Sequence, residues 1–392
     1  MNVALLAPPH DSHEDGVGRN VRELARGVVR AGGRAEVLAH LPEATRDAVA
    51  DDGITVRHFQ QQGGSSQAGS DAIQSYLRRH GDRYDLVHAH GYPTLPAVLG
   101  ALGLFGRLVF SPRHDGRLRT RIGQLTQSPH PQLGRSALAS ADLIICSCHA
   151  EAEEIARLIP AIAQRVRIIA SGADTEEIAA ARPFSVERRV ILSIGRADGA
   201  GGADRAVSAL PALGPGYELV VVRCGSARRR LRACAEDLQV SEQVRILDRV
   251  SDAVLHSWLR TANVVLALGD EDSEGTMLME CACAGVPVIG SDTPAHQEVA
   301  RMLDDAAVRL LPRRASPLLL ADHVLRLTEI RMNPLATLAV PTLEDVADQT
   351  VSLYSALLDD RLESDLAVAP FAPQQAPANG RPAIFGMPGS TR

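Results

Sequence analysis

Short apolar runs alternate with amphipathic stretches along most of the chain. Residues 3–7, 35–39, 85–89, 108–111, 143–146 and 166–169 are predominantly apolar runs of strand length. Runs without strict alternation mark strands buried on both faces. Between them, residues 17–31, 95–102 and 150–158 carry apolar positions at helical spacing. The pattern pauses at residues 179–189, a polar stretch containing Pro183. It then restarts: residues 190–194, 218–222, 244–247, 264–267 and 286–290 predict strands, and 226–238, 254–261 and 277–284 predict helices. This β-α-β alternation predicts parallel sheets covered by helices. The pause divides it into two Rossmann-like halves joined near residue 182. Residues 342–358 predict a last helix, and 367–392, rich in Pro, Ala and Gly, predict a disordered tail. The expected plan is therefore residues 1–182, residues 183–340, a helix within 341–360 packing back on the first half, and a tail over 361–392.

Composition narrows the chemistry. A chain of 392 residues exceeds one ordinary core at about 150 residues per domain. The net charge of -6 and a pI of about 6.1 give no global attraction to nucleic acid or to an anionic membrane. All 41 basic residues are arginine, which excludes a P-loop lysine and a Schiff-base lysine. The amino terminus lacks the basic region of a signal peptide, and no apolar run reaches the roughly 20 residues of a membrane helix. Cys146, Cys148, Cys224, Cys234, Cys281 and Cys283 sit in apolar segments without zinc or disulfide-scaffold spacing. They read as buried thiols of a cytoplasmic protein.

Doubly wound sheets bind ligands at the carboxyl ends of their strands, so the loops following the strands are where chemistry belongs. Three stand out. Asp15-Gly16-Val17-Gly18-Arg19 precedes a helix, and paired glycines at a helix start let backbone amides approach an anion. Ser193-Ile194-Gly195-Arg196 ends a strand and runs through a glycine-rich turn to Gly201-Gly202, a plausible diphosphate clamp. Asp272-Ser273-Glu274-Gly275-Thr276-Met277 leads into a helix carrying Glu280, with carboxylates to accept sugar and ribose hydroxyls. Each has a plainer reading as a flexible loop, a surface arginine or solvated acids at a helix start.

In this order and spacing the three elements resemble glycosyltransferase family 4 over about residues 3–300. Gly16-Val17-Gly18-Arg19 is similar to the family's glycine loop, and Asp85-Leu86-Val87-His88-Ala89-His90 to its D-x-V-H-x-H strand end. Ser111-Pro112-Arg113-His114-Asp115 stands at its second histidine loop, and Ser171-Gly172-Ala173-Asp174 at its N-G-V-D turn. Gly195-Arg196 matches the G-R of the donor half, and Glu280 the end of E-x7-E. The chain departs from the pattern in three places. Gly201 stands where the donor-site lysine belongs, Asp272 replaces the first glutamate, and Glu274 an aromatic residue.

The resemblance implies an α/β protein of the GT-B fold, two Rossmann-like doubly wound domains facing a cleft. It implies a retaining hexosyltransferase-like enzyme using a UDP- or GDP-linked sugar, with no required cofactor and no metal. His114, Asp272 and Arg196 are the implied catalytic residues. The donor would be held by Gly16, Gly18, Gly195, Arg196, Glu274, Gly275, Thr276, Met277 and Glu280. Arg205, one turn into the helix after Gly202, is the candidate substitute for the lysine. Asp270, Glu271, Asp272 and Glu274 could attract a cation, but they lack a strand-end D-x-D context. The acceptor would be a small molecule, glycan or glycolipid, and no nucleic acid is expected. Arg107, Arg113, Arg117, Arg119, Arg121 and Arg135 offer a surface to a phosphorylated acceptor or a peripheral membrane contact, or simply a solvated basic face. A catalytically degenerate nucleotide-sugar-binding subunit and an epimerase of the same fold remain alternatives.

Overall fold

The computed structural model describes residues 1–7, 16–41, 46–49, 53–60, 66–112, 138–194, 202–247, 250–269, 275–303, 308–330 and 340–360. The first half consists of β1 (Asn2–Leu6), α1 (Gly16–Arg30), β2 (Arg34–Leu41), β3 (Arg46–Val49), β4 (Thr55–Gln60), α2 (Ser66–His80), β5 (Leu86–His90), α3 (Leu95–Leu99), β6 (Arg107–Ser111), β7 (Leu143–Cys146), α4 (His149–Leu158) and β8 (Val166–Ile168). Its strands form one sheet in the order β3-β4-β2-β1-β5-β6-β7-β8. All pairs are parallel except β3 with β4 at the edge. The second half follows α5 (Thr175–Ala180) with β9 (Arg189–Ile194), α6 (Ala203–Leu213), β10 (Tyr217–Val222), α7 (Arg228–Asp237), β11 (Val244–Leu247), α8 (Asp252–Thr261), β12 (Val264–Ala267), α9 (Thr276–Ala284), β13 (Val288–Ser291), α10 (Pro294–Met302), β14 (Val308–Leu311) and α11 (Pro317–Leu327). Its six parallel strands run β11-β10-β9-β12-β13-β14. That is the doubly wound order 3-2-1-4-5-6, whose direction reverses between β9 and β12 and opens a ligand crevice there. In the first sheet the reversal falls between β1 and β5.

Each sheet is buried on both faces. Val3, Leu5 and Val109 pack against α1 on one side of the first sheet, while Leu6, Val87 and Phe110 pack on the other. The last helix, α12 (Leu343–Leu358), returns to the first half. It is opened by a capping box between Thr342 and Asp345, and its Ala347, Val351 and Tyr354 join the α1 side of that core. Contact with α1 is close: a Cβ at Gly27 would lie 3.1 Å from Ala347 Cβ. Two segments thus cross together between the halves, with the Ala173 amide donating to the Pro341 carbonyl at 3.0 Å. Among the described residues, no helix is long and apolar enough to cross a membrane.

Three elements differ from the sequence expectation. The helix expected over 95–102 ends at Leu99, and the chain turns away at Gly103, whose φ of +81° no helix residue adopts. The strand expected over 286–290 spans Val288–Ser291; the Val286 amide instead closes the end of α9 on the Cys281 carbonyl at 3.0 Å. Gly16 and Gly18 lie inside the first turn of α1 rather than ahead of it. Amides of a first turn have no intrahelical acceptor, so the anion-binding logic carries over to the turn itself. The expected tail over 361–392 lies outside the described residues.

Candidate functional site

The carboxyl ends of both sheets meet where α1 approaches the second half. Arg19, in the first turn of α1, reaches three carboxylates. It donates through Nη1 to Asp174, which precedes α5, and through Nη2 to Glu280 Oε1 of α9 at 3.2 Å. Its Nε lies 3.4 Å from Asp252 Oδ2 at the start of α8. Arg223, immediately after β10, donates to the other oxygen of Asp252 at 2.7 Å. Three carboxylates and two guanidinium groups therefore share one partly buried centre, with Glu280 the most enclosed at 5% side-chain exposure.

The elements place these groups for local reasons. Ser251 caps α8 by accepting from the Val254 amide and so fixes Asp252 in the first turn. Gly275 opens α9 at φ +65°, where a Cβ would sit 2.5 Å from Val299 Cγ2, so only glycine fits. Leu278 to Ala284 are all buried, and Glu280 is the charged residue that this apolar helix carries into the crevice. Burial pushes the Glu280 carboxyl above the ordinary range, and Asp174 adds to that, while Arg19 and Arg223 pull it back. Burial works against the Arg19 charge, but Glu280, Asp174 and Asp252 together outweigh it and raise its pKa. His256, also on α8 and 1% exposed, is lowered by burial and by Arg19. Its ring nitrogens lie 3.9 Å from Asp174 and 3.9 Å from Glu177. The Asp174 oxygen facing it is the one bonded to Arg19, so that carboxylate already serves an internal cation.

Of the residues singled out in sequence, Gly275, Thr276 and Met277 form the start of α9 with Glu280 about one turn on, and Gly16 and Gly18 lie in the first turn of α1. Arg205 lies nearby on α6, but its guanidinium donates to the backbone carbonyls of Leu268 and Arg313. Gly202, at φ +72°, leaves it room: a Cβ there would stand 3.0 Å from Arg205 Nη2. His114, Gly195, Arg196, Asp272 and Glu274 lie outside the described residues, as do the arginines from 113 to 135. Arg107 begins β6 at its amino end, away from the crevices, and pairs with Asp142 and Asp360. Sequence reasoning missed Arg223, Asp252 and His256 altogether. One signal was available for Arg223, which directly follows the apolar run 218–222 at the carboxyl end of an expected strand.

The first half presents a different polar centre. His88 bonds through Nδ1 to the Tyr354 hydroxyl of α12 and through Nε2 to Ser111 Oγ at 2.9 Å. Beside it, His90, Ser147, Ser171 and Thr350 help line a cavity of about 40 Å³. That volume holds a water or two, not a sugar.

Residues 15–177 match the family model described as Glycosyltransferase Family 4, and residues 174–331 match Glycosyl transferases group 1. The chain belongs to glycosyltransferase family 4. Together the two models cover every strand of both sheets except β1, and they overlap from Asp174, the residue that bonds to Arg19. This family 4 glycosyltransferase is 26% identical to the D-inositol 3-phosphate glycosyltransferase of Xylanimonas cellulosilytica, over 78% of this chain and 81% of that protein. In fold it is similar to sucrose-phosphate synthase from Thermosynechococcus elongatus (TM-score 0.72, 16% identity, 92% of this chain and 100% of the other). It is also similar to the Anabaena protein HepE solved with UDP and glucose (TM-score 0.64, 16% identity, 92% and 97%). The family 4 chain thus has the two-domain GT-B architecture.

Proposed function

We propose that this glycosyltransferase moves a hexosyl group from a UDP- or GDP-linked sugar to a hydroxyl acceptor, with retention at the anomeric carbon, in the cytoplasm. The observation that carries the reading is the enclosed Glu280 carboxylate at the second sheet's crevice, about one turn beyond the glycine that opens α9. A carboxylate there accepts the two hydroxyls of a nucleotide ribose, and the amides of the Gly275–Thr276–Met277 turn face an anionic group. That HepE was solved with UDP and glucose supports the donor class.

In this reading Gly195, Arg196 and the α1 turn with Gly16 and Gly18 receive the diphosphate. Asp272 and Glu274 receive sugar hydroxyls, and His114 contacts the transferred sugar. The bond from the anomeric carbon to the phosphate oxygen breaks through an oxocarbenium-like state, and charge accumulates on the leaving phosphate, where Arg196 and backbone amides stabilise it. The acceptor hydroxyl attacks from the same face and passes its proton to the departing phosphate oxygen. Arg205 contributes at the diphosphate only by giving up a backbone carbonyl.

Calorimetric titration with UDP and GDP, with Arg196→Ala alongside, tests the donor site. Binding of one nucleotide that is lost in the variant is the expected result. D-inositol 3-phosphate is the first acceptor to try, because the curated relatives carry that name. Absence of binding to both nucleotides and to their sugar conjugates would overturn the proposal, and binding without turnover on any acceptor would point to the degenerate subunit instead.

A further inference from the structure

We infer that Arg19 is a positioning residue for the donor site: from the N-terminal domain it keeps Glu280 of the C-terminal domain charged and aimed, so the ribose subsite is complete only while the two domains are together. This rests on the donor reading of Glu280.

A carboxylate as enclosed as Glu280 does not stay ionised without a close cation. The charged and titratable groups around it come from five elements. Helix α1 contributes Arg19, the segment before α5 contributes Asp174, and α8 contributes Asp252 and His256. Arg223 follows β10, and Cys283 lies on α9 itself, its thiol raised by burial and by Glu280 to about 11. Two of these are permanent cations. Arg223 is committed to Asp252 at 2.7 Å, whereas Arg19 donates directly to Glu280 at 3.2 Å. Asp174 and Asp252 add negative charge to the same centre. Without Arg19, Glu280 would face burial and those two carboxylates with only the more distant Arg223 in its favour, and it would take up a proton. A protonated carboxyl is a weaker acceptor for the ribose hydroxyls. Because Arg19 belongs to the opposite domain, separating the domains and protonating Glu280 are coupled events, and a ligand that needs the anion favours the closed pair.

The test uses the full chain and four variants: Arg19→Gln, Arg19→Lys, Glu280→Gln and the Arg19→Gln/Glu280→Gln double. UDP and GDP affinities are measured by calorimetry from pH 5.5 to 8.5. The parent is expected to show the smaller pH dependence, because Arg19 pulls the raised Glu280 carboxyl back down. Arg19→Gln should bind more weakly and regain affinity as pH rises, by about tenfold per pH unit while Glu280 titrates. Arg19→Lys should restore most of the loss and flatten the profile. In the Glu280→Gln background the Arg19→Gln change should cost little and show no pH dependence. A loss in Arg19→Gln that is equal at every pH, or that persists without Glu280, overturns the inference.

A second measurement separates this from failure of the donor reading. Urea midpoints of the same variants across the same pH range need no ligand. Arg19→Gln should show an added slope, losing stability over a wider rise in pH than the parent does, since a further raised native pKa means that the native state holds a proton released on unfolding. That slope should vanish in the double variant. If the parent binds neither nucleotide but the slope appears, the donor reading fails and the Arg19–Glu280 link stands. If the slope is absent, the link itself is wrong.

Discussion

The two halves of the molecule each bury a polar centre at the carboxyl ends of their strands, and the centres are built on opposite principles. In the first, His88 is held between a tyrosine hydroxyl and a serine hydroxyl, neutral partners drawn from β6 and from α12. In the second, Glu280 is one of three carboxylates balanced by two arginines, one of which comes from the other domain. Neutral hydrogen-bonded groups can be buried at small cost, whereas buried ion pairs often yield no net stability because desolvation offsets the attraction. The first centre is what stability alone would select. The second makes sense as a site kept for a ligand.

The largest effect should therefore come from the neutral centre. Tyr354 is fully buried against the α1 face of the first sheet as well as bonded to His88. Tyr354→Ala should lower unfolding free energy by about 3–5 kcal/mol, read from urea unfolding at pH 7. Tyr354→Phe, which removes only the hydroxyl, should cost about 1 kcal/mol. Equal losses in both variants would mean that the hydrogen bond, not packing, dominates the first centre.

Next in size is Gly275→Ala. Placing an L residue at φ +65° costs about 1–2 kcal/mol, and its Cβ would also meet Val299 Cγ2 at 2.5 Å. Because this turn sets the start of α9 and hence the position of Glu280 one turn on, nucleotide affinity should fall alongside stability. A destabilised variant with unchanged nucleotide affinity would disconnect the turn from the site.

How much of this contrast was legible in sequence follows from the same physics. The buried parallel strands announce themselves as apolar runs, so β1, β5, β7, β9, β10 and β12 were readable nearly to the residue. The edge strand β3 and its neighbour β4 were not: RDAV and TVRHFQ are short and half polar or more. Nor was α2, whose buried Ile73, Tyr76 and Leu77 occupy little more than one turn. The motif residues on α1 and α9 were legible because their glycine turns are local. The pairing of Arg19 with Glu280, 261 residues apart, and the entry of Arg223 and Asp252 were not, since an ion pair across domains leaves no periodic trace.

A smaller, oppositely signed change is expected from Glu280→Gln. With its native pKa raised, the Glu280 carboxyl favours the fold at low pH, and that contribution is lost as pH rises through the raised native value. At pH 7 the amide should therefore leave the protein as stable as the parent or more stable by on the order of 1 kcal/mol, while weakening nucleotide binding. The stability advantage should shrink toward pH 4.5, the ordinary carboxyl value. A large destabilisation at pH 7 would show that the charged centre holds the domains together by itself and would erase the contrast with His88.

The smallest effect should come from a second side-chain tie between the domains. Glu298 of α10 accepts from the His149 amide at 2.9 Å and contacts its ring at 2.7 Å, at the start of α4. This pair also crosses between the halves, but the His149 side chain is 66% exposed, so solvent already satisfies much of what the contact offers. Glu298→Ala should cost less than about 1 kcal/mol and leave nucleotide affinity within about twofold of the parent. The comparison with Arg19→Gln is the informative one, because both changes loosen a cross-domain contact while only one touches an enclosed carboxylate. If Glu298→Ala weakened nucleotide binding as strongly as a change at Arg19, any contact that keeps the domains together would serve the site equally. The particular placing of Arg19 against Glu280 would then carry no special weight.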